Sequence, residues 1–267
     1  MIARRNGRTF ECVVVDLDTQ RDFCDPQGAY PVANLPGLIP AIRRVIAWTK
    51  RNHAPVVSSL ESHRLWELPS DGRSLLFCID GTAGQRKLAC TVFASRARVE
   101  MDNTLAVPID LFGQYQQVIF RKRTDDLLAN PKADRFLTQL PAQEFVVFGN
   151  GLESSVKALT LGLLAREKRV TIVFDACGYW DRSTAELALR QVSAKGAAVV
   201  SVSELLARKL DRRYRYPITI HDAEGNGGYA NGRFRCNGSA IYGRPIPKPP
   251  GPNGTPQNGS DVDGNGS

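Results

Sequence analysis

Short runs rich in β-branched residues recur at Cys12 to Leu17, Pro55 to Leu60, Gln117 to Arg121, Phe145 to Gly149, Val170 to Phe174 and Ala198 to Val202, with segments of helical period between them. Near-continuous apolar runs of this length suit strands buried on both faces, and their alternation with helices marks a parallel sheet covered on both sides. Between the first two runs, Ile42, Val45, Ile46 and Thr49 repeat at i, i+3, i+4 and i+7 and give a helix face able to lie on a sheet. Val156, Leu159 and Leu163 do the same further on. Ser183 and Glu186 have the spacing of a capping box, so a helix is expected to start there and run towards Lys195, where Gly196 ends it. The pattern predicts a three-layer α/β/α domain around a doubly wound, mainly parallel six-stranded sheet.

The stretch from Glu61 to Ile109 breaks this rhythm; a long insertion in a compact domain is usually functional, and we expect it to wall an active site. We divide the chain into an N-terminal extension (1–10), one α/β domain (11–215), a Gly/Asn-rich extension (216–242) and a Pro/Gly/Asn-rich tail (243–267). The tail carries almost no apolar residues to offset its ordering entropy and is expected to be disordered.

Composition agrees with one core: of 267 residues, 42% are hydrophobic and 23% charged. The formal charge of +8 comes from scattered lysines and arginines. Their densest group, Arg208 to Arg215, follows a short helical segment, where cations complement the helix dipole, so no nucleic-acid partner is expected. The six cysteines show no C-x-x-C spacing, no apolar leader follows Met1, and no apolar run approaches about 18 residues. The expectation is a cytoplasmic protein with reduced thiols and no membrane partner.

Candidate chemistry lies at the strand ends, because a doubly wound sheet binds ligands at the carboxyl ends of its strands. The first run stops at Asp16-Leu17-Asp18-Thr19-Gln20-Arg21-Asp22-Phe23, the third at Arg121-Lys122-Arg123, and the fourth at Gly149-Asn150-Gly151 before a helix containing Ser154 and Ser155. An acid, an amine and a hydroxyl can thus reach one crevice, although Asp18 in a turn, Lys122 on a surface and either serine as a helix cap are the ordinary alternatives.

The run Asp18 to Phe23 resembles the D-x-Q-x-D-F opening of nicotinamidases and other isochorismatase-like hydrolases. Lys122 falls where that family has its catalytic lysine, and Gly149 to Val156 is similar to its segment of a glycine, five residues, the nucleophilic cysteine and a valine, which puts Ser155 on the cysteine. Cys78-Ile79-Asp80-Gly81-Thr82-Ala83-Gly84 looks like the C-V-x-G-T-x-G loop of the nicotinamidase-leaning members, and Phe174-Asp175-Ala176 with Gly196 to Val200 like the family's ending. The resemblance, from about Glu11 to Leu206, implies catalytic roles for Asp18, Lys122 and Ser155, substrate contacts from Gln20, Phe23, Asn150 and Gly151, and a cis peptide at Asn150-Gly151. It also implies a small-molecule substrate and a chain able to form homo-oligomers.

Two departures bear on mechanism. A hydroxyl is far harder to deprotonate than a thiol, so Ser155 needs a base in contact. Nicotinamidases also hold a divalent metal through an aspartate, a histidine two residues on and further histidines; Glu61 and His63 match the first pair, but Phe77 occupies a histidine place, and His53, His63 and His221 are all the histidines there are. No metal or other cofactor is expected. Three readings follow: a hydrolase of a small amide or related C–N bond, a vinyl-ether hydrolase working through Asp18 without a covalent intermediate, and a non-catalytic descendant that binds a small molecule or a partner.

Truncation after Gly243 is expected to leave the melting temperature almost unchanged; a drop of several degrees in a thermal scan of the shortened chain would place the domain boundary further on.

Overall fold

The computed structural model describes residues 9–64, 76–102 and 104–210. The expected extension, the tail and most of residues 1–10 lie outside them. In chain order the elements are β1 (Val13–Leu17), α1 (Arg21–Cys24), α2 (Leu35–Arg51), β2 (Val56–Glu61), β3 (Arg96–Val99), β4 (Gln117–Lys122), α3 (Pro131–Gln139), β5 (Phe145–Asn150), α4 (Lys157–Ala165), β6 (Val170–Gly178), α5 (Arg182–Ala194), β7 (Ala198–Val200) and α6 (Val202–Ala207).

The strands form one seven-stranded sheet in the order β3-β4-β2-β1-β5-β6-β7, and every pairing is parallel. The expected doubly wound sheet is present with one strand more than the six foreseen. The additional strand, β3, lies inside the long insertion, is four residues long and alternates exposed and buried positions at the sheet edge. So short an alternation carries little of the apolar signal that marks the central strands. All five residues of β1 are buried, as its run of valines requires in the middle of a covered sheet.

Crossovers between parallel strands are right-handed, so their direction of travel decides which face each helix covers. The step from β1 to β2 moves one way through α2; the steps through α3, α4 and α5 move the other way. α2 therefore lies on one face, where it packs on α6 and β6, and α4 lies on the opposite face against α5. The expected stripes are the buried ones: Ile42, Val45, Ile46 and Thr49 of α2, and Val156, Leu159 and Leu163 around α4. The cap of α5 is not Ser183 with Glu186. Asp181 accepts from the Thr184 amide at 2.8 Å and from the Ser183 hydroxyl at 2.7 Å, while Glu186 pairs with Arg182. A carboxylate stands at the helix start, where it can accept amide hydrogens and meet the positive end of the dipole. A capping box is formed instead by Ser201 with Glu204, opening α6.

The strand order reverses between β1 and β5, so their carboxyl ends border the crevice where such sheets bind ligands. The two strands run in register as far as Leu17 beside Gly149. Gly149 has φ of 122°, and a Cβ there would collide with the Leu17 carbonyl oxygen. Gly149→Ala is therefore expected to cost at least about 2 kcal/mol, measurable by urea unfolding.

Candidate active site

Register puts the first two charges together. Glu61 and Lys122, the last residues of β2 and β4, are direct neighbours across the ladder. The buried Lys122 ammonium lies 3.3 Å from Glu61 Oε2, 2.8 Å from Asp18 Oδ2 and 3.1 Å from Ser155 Oγ, to which it donates. It also donates to the carbonyls of Thr124 at 2.9 Å and Asp125 at 3.3 Å. Asp18, Lys122 and Ser155 thus meet at one point, and each is at most 3% exposed.

Asp18 leaves the ladder with a left-handed backbone, φ 47°. Its amide donates to Ser59 Oγ at 2.9 Å, and the same hydroxyl donates to Asp18 Oδ1 at 2.6 Å. Ser155 sits in a π-helical turn, Leu152–Val156, where the amides of Ser154 and Val156 both donate to the Gly151 carbonyl. The peptide before this turn, Asn150-Gly151, is cis.

Two carboxylates face one ammonium, away from water. Burial works against the Lys122 ammonium, yet the Asp18 and Glu61 carboxylates together outweigh it and hold its pKa above the ordinary lysine value. Burial likewise opposes the Glu61 charge, but Lys122 and the hydrogen bond from His63 bring its carboxyl below the usual range. Asp18 goes the other way: burial and the Glu61 charge push its carboxyl up despite Lys122. Asp18 is therefore the carboxylate of the pair that takes up a proton first.

The four expected substrate contacts occupy different places. The side-chain amide of Gln20 is tied to backbone, donating to the carbonyls of Glu61 at 2.8 Å and Gln85 at 2.9 Å and accepting from the Glu61 amide at 2.8 Å. Asn150 donates to the Asp18 carbonyl at 2.9 Å and to Cys24 Sγ at 3.0 Å, so it braces the end of β1 from below. Phe23 is buried beneath other rings, 5.2 Å from Phe77 and 5.5 Å edge-on to Trp180. Gly151 lies directly under Trp180, whose ring would collide with any Cβ at this position.

Sequence reasoning missed the aromatic arc that this contact begins. Trp180 stacks on Tyr30 at 4.8 Å, Tyr30 on Phe77 at 5.2 Å, and Phe77 meets the edge of His63 at 5.4 Å. Glu153 fixes one end by accepting from the amides of Trp180 at 2.7 Å and Asp181 at 3.1 Å. The arc runs from the peptide before Ser155 to the partner of Glu61. Ser59 was missed as well. Its signal was two serines inside an otherwise apolar central strand next to the switch point, and for Trp180 it was a large ring at the carboxyl end of β6.

None of the neighbouring thiols is poised to replace the cysteine nucleophile. Burial pushes Cys24 and Cys177 up to about 12. Cys78 is raised by burial and by the Glu61, Asp18 and Asp22 charges. The donor set also does not fit a divalent metal. Glu61 Oε1 is paired with His63 Nε2 at 2.8 Å, Oε2 faces Lys122, and the ring edge of His63 meets Phe77 rather than a further donor. His53 lies in the turn before β2, and no group of three or more His, Cys, Asp or Glu able to hold a metal occurs among the described residues.

The architecture is that of a doubly wound α/β domain with an acid, an amine and a hydroxyl converging at its switch point. The isochorismatase domain sequence model matches residues 12–204, and the chain belongs to the isochorismatase-like hydrolase family. No curated protein matches it. Among solved structures, a zinc-bound pyrazinamidase of Pyrococcus horikoshii is 20% identical with a TM-score of 0.57, covering 72% of this chain and 99% of its own. An isochorismatase family protein from Desulfovibrio vulgaris is 19% identical with a TM-score of 0.60, covering 75% and 100%. A nicotinamidase from Bacillus subtilis is 16% identical with a TM-score of 0.58, covering 72% and 100%. At these identities the shared property is the fold.

Removing the ammonium leaves two buried carboxylates facing each other. Lys122→Met is expected to destabilise the protein by about 3–5 kcal/mol at pH 7 in urea unfolding. Unpaired carboxyls have folded pKa values above their unfolded ones, so this deficit should shrink as the pH falls through the folded values.

Proposed function

We propose that the protein hydrolyses a small-molecule amide or related C–N bond, with Asp18, Lys122 and Ser155 as its catalytic residues. The observation that carries this reading is the Lys122 ammonium in contact with both the Asp18 carboxylate and the Ser155 hydroxyl in a buried site. Ser155 Oγ attacks the substrate carbonyl as its proton passes to Asp18. Lys122 steadies the negative charge that develops on Oγ, and helix-start amides near Ser155 are suited to the carbonyl oxygen. Asp18 gives the proton to the leaving nitrogen, then takes one from the water that cleaves the acyl-serine ester and returns it to Ser155 Oγ as that oxygen leaves. The raised pKa of Asp18 helps both directions of transfer, since a proton carrier works best near the ambient pH. The reaction runs on these side chains without a metal, because Glu61 and His63 are already paired.

The same raised pKa also favours a second reading, in which a protonated Asp18 protonates a vinyl ether directly and Ser155 only positions the substrate. Two substitutions and a pH profile separate the two when the purified protein is screened against small amides, carbamates and isochorismate. For the amide hydrolase, Asp18→Asn and Ser155→Ala should each lower kcat/KM by about 10²-fold or more, with activity rising as the pH rises through the Asp18 pKa. For the vinyl-ether hydrolase, Ser155→Ala should retain activity, and the rate should fall as the pH rises through that pKa. Absence of turnover on every substrate would favour a binding protein.

A thiol at the serine position tests the site without a substrate. With the six native cysteines masked or replaced, Ser155→Cys is expected to alkylate rapidly, with an apparent pKa below about 8.5, and to lose that reactivity when combined with Asp18→Asn. Slow labelling with or without Asp18 would count against the hydrolase reading.

A further inference from the structure

We propose that Ser59 is the positioning residue for Asp18, holding one carboxylate oxygen so that the other, Oδ2, is the one that exchanges protons. The proposal rests on the hydrolase reading for its catalytic meaning, but not for its geometry. Asp18 leaves the strand with a positive φ, and its amide no longer points along the ladder; it donates instead to Ser59 Oγ at 2.9 Å. A hydroxyl has one hydrogen to give, and here it goes to Asp18 Oδ1 at 2.6 Å. One buried side chain thereby sets both the backbone turn and the plane of the carboxylate. Oδ2 is left 2.8 Å from the Lys122 ammonium, without a well-aligned hydrogen bond.

The contrast with Asp16, two residues earlier, shows what this arrangement achieves. Both Asp16 oxygens are engaged: Oδ1 accepts from Thr19 at 2.7 Å, while Oδ2 accepts from Ser58 at 3.0 Å and lies 3.0 Å from the buried Lys87 ammonium. Lys87 comes from the long insertion and also donates to the Ser59 carbonyl at 3.1 Å. Asp16 and Lys87 thus clamp β1 to β2 and fix Ser59 from behind. A carboxylate with a hydroxyl donor on each oxygen beside one whose second oxygen meets only an ammonium divides the labour between holding and reacting. The charged groups that face Asp18 are Lys122 from β4 and Glu61 from β2, with the Cys78 thiol from the insertion close by.

The test is a pH titration of Asp18 followed by carbon-detected NMR of the side-chain carboxyls, with the Asp18 signal assigned by its loss in Asp18→Asn. Ser59→Ala removes a donor to the charged form, so the Asp18 midpoint should rise by about one pH unit. Ser59→Thr keeps the hydroxyl and should restore the parent midpoint, whereas a purely structural role would change the melting temperature and leave the midpoint in place. If Ser59→Ala does not fold, Ser59→Cys carries the test, and its weaker donor should give a smaller rise. An unmoved midpoint in a folded Ala or Cys variant overturns the proposal. Repeating the alkylation assay on Ser155→Cys with Ser59→Ala keeps the two claims apart. A raised midpoint with slower labelling supports both, and a raised midpoint with unchanged labelling supports the hold on Asp18 but counts against the hydrolase reading.

Discussion

One ammonium between two carboxylates, closed off from water, is the constraint around which the site is arranged. A buried ion pair is costly to assemble and becomes tolerable only when every remaining valence finds a partner. Lys122 meets this condition with two carboxylates, a hydroxyl and two backbone carbonyls. Because the carboxylates outnumber the cation, their environments diverge. Glu61 has His63 as a second partner and keeps its charge, while Asp18 has only the Ser59 hydroxyl and is driven towards taking a proton. The difference in role between these two acids comes from their neighbours rather than from their chemistry.

The fold delivers these groups by strand order. β1 and β5 border the reversal of the sheet and supply the acid and the serine turn; β2 and β4, one and two places further along from β1, supply the second acid and the amine. The helices and the aromatic arc then remove water from the meeting point. What the chain has in common with the pyrazinamidase, nicotinamidase and isochorismatase family structures is the sheet and helix framework.

The layered fold was legible because its signals are local and repeated, as in the valine run of β1 and the spaced apolar positions of α2. Asp18, Lys122 and Ser155 were legible because each follows a strand end and matches a family motif. What escaped was decided by tertiary contact. β3 forms because β4 offers it an edge, and its four residues do not declare a strand on their own. Asp181 takes the place of Ser183 as the cap because the helix starts two residues earlier, where the Asp181 carboxylate accepts from the Thr184 amide. The hydrogen bonds of Gln20 to backbone and of the Asn150 amide nitrogen to the Asp18 carbonyl and Cys24 could not be read from the sequence, because only the folded path of the insertion and α1 brings these groups near. Ser59 and Trp180 lie far in sequence from the residues they serve.

The pairing of Glu61 with Lys122 in adjacent parallel strands also gives the family member unusual freedom elsewhere. The segment joining β2 to β4, which carries β3, has its ends pinned by sheet register, and lengthening a connection of this kind raises its closure cost only logarithmically. A one-residue slip inside either strand, by contrast, would turn its charge to the opposite face of the sheet. Away from Gln85 and Lys87, which tie into β1 and β2, the segment between β2 and β4 can therefore diverge in length and composition, and with it the outer wall of the crevice, while the charges at the centre stay where they are. That separation lets the wall of the crevice change, or be exchanged loop by loop, without rebuilding the buried charge cluster.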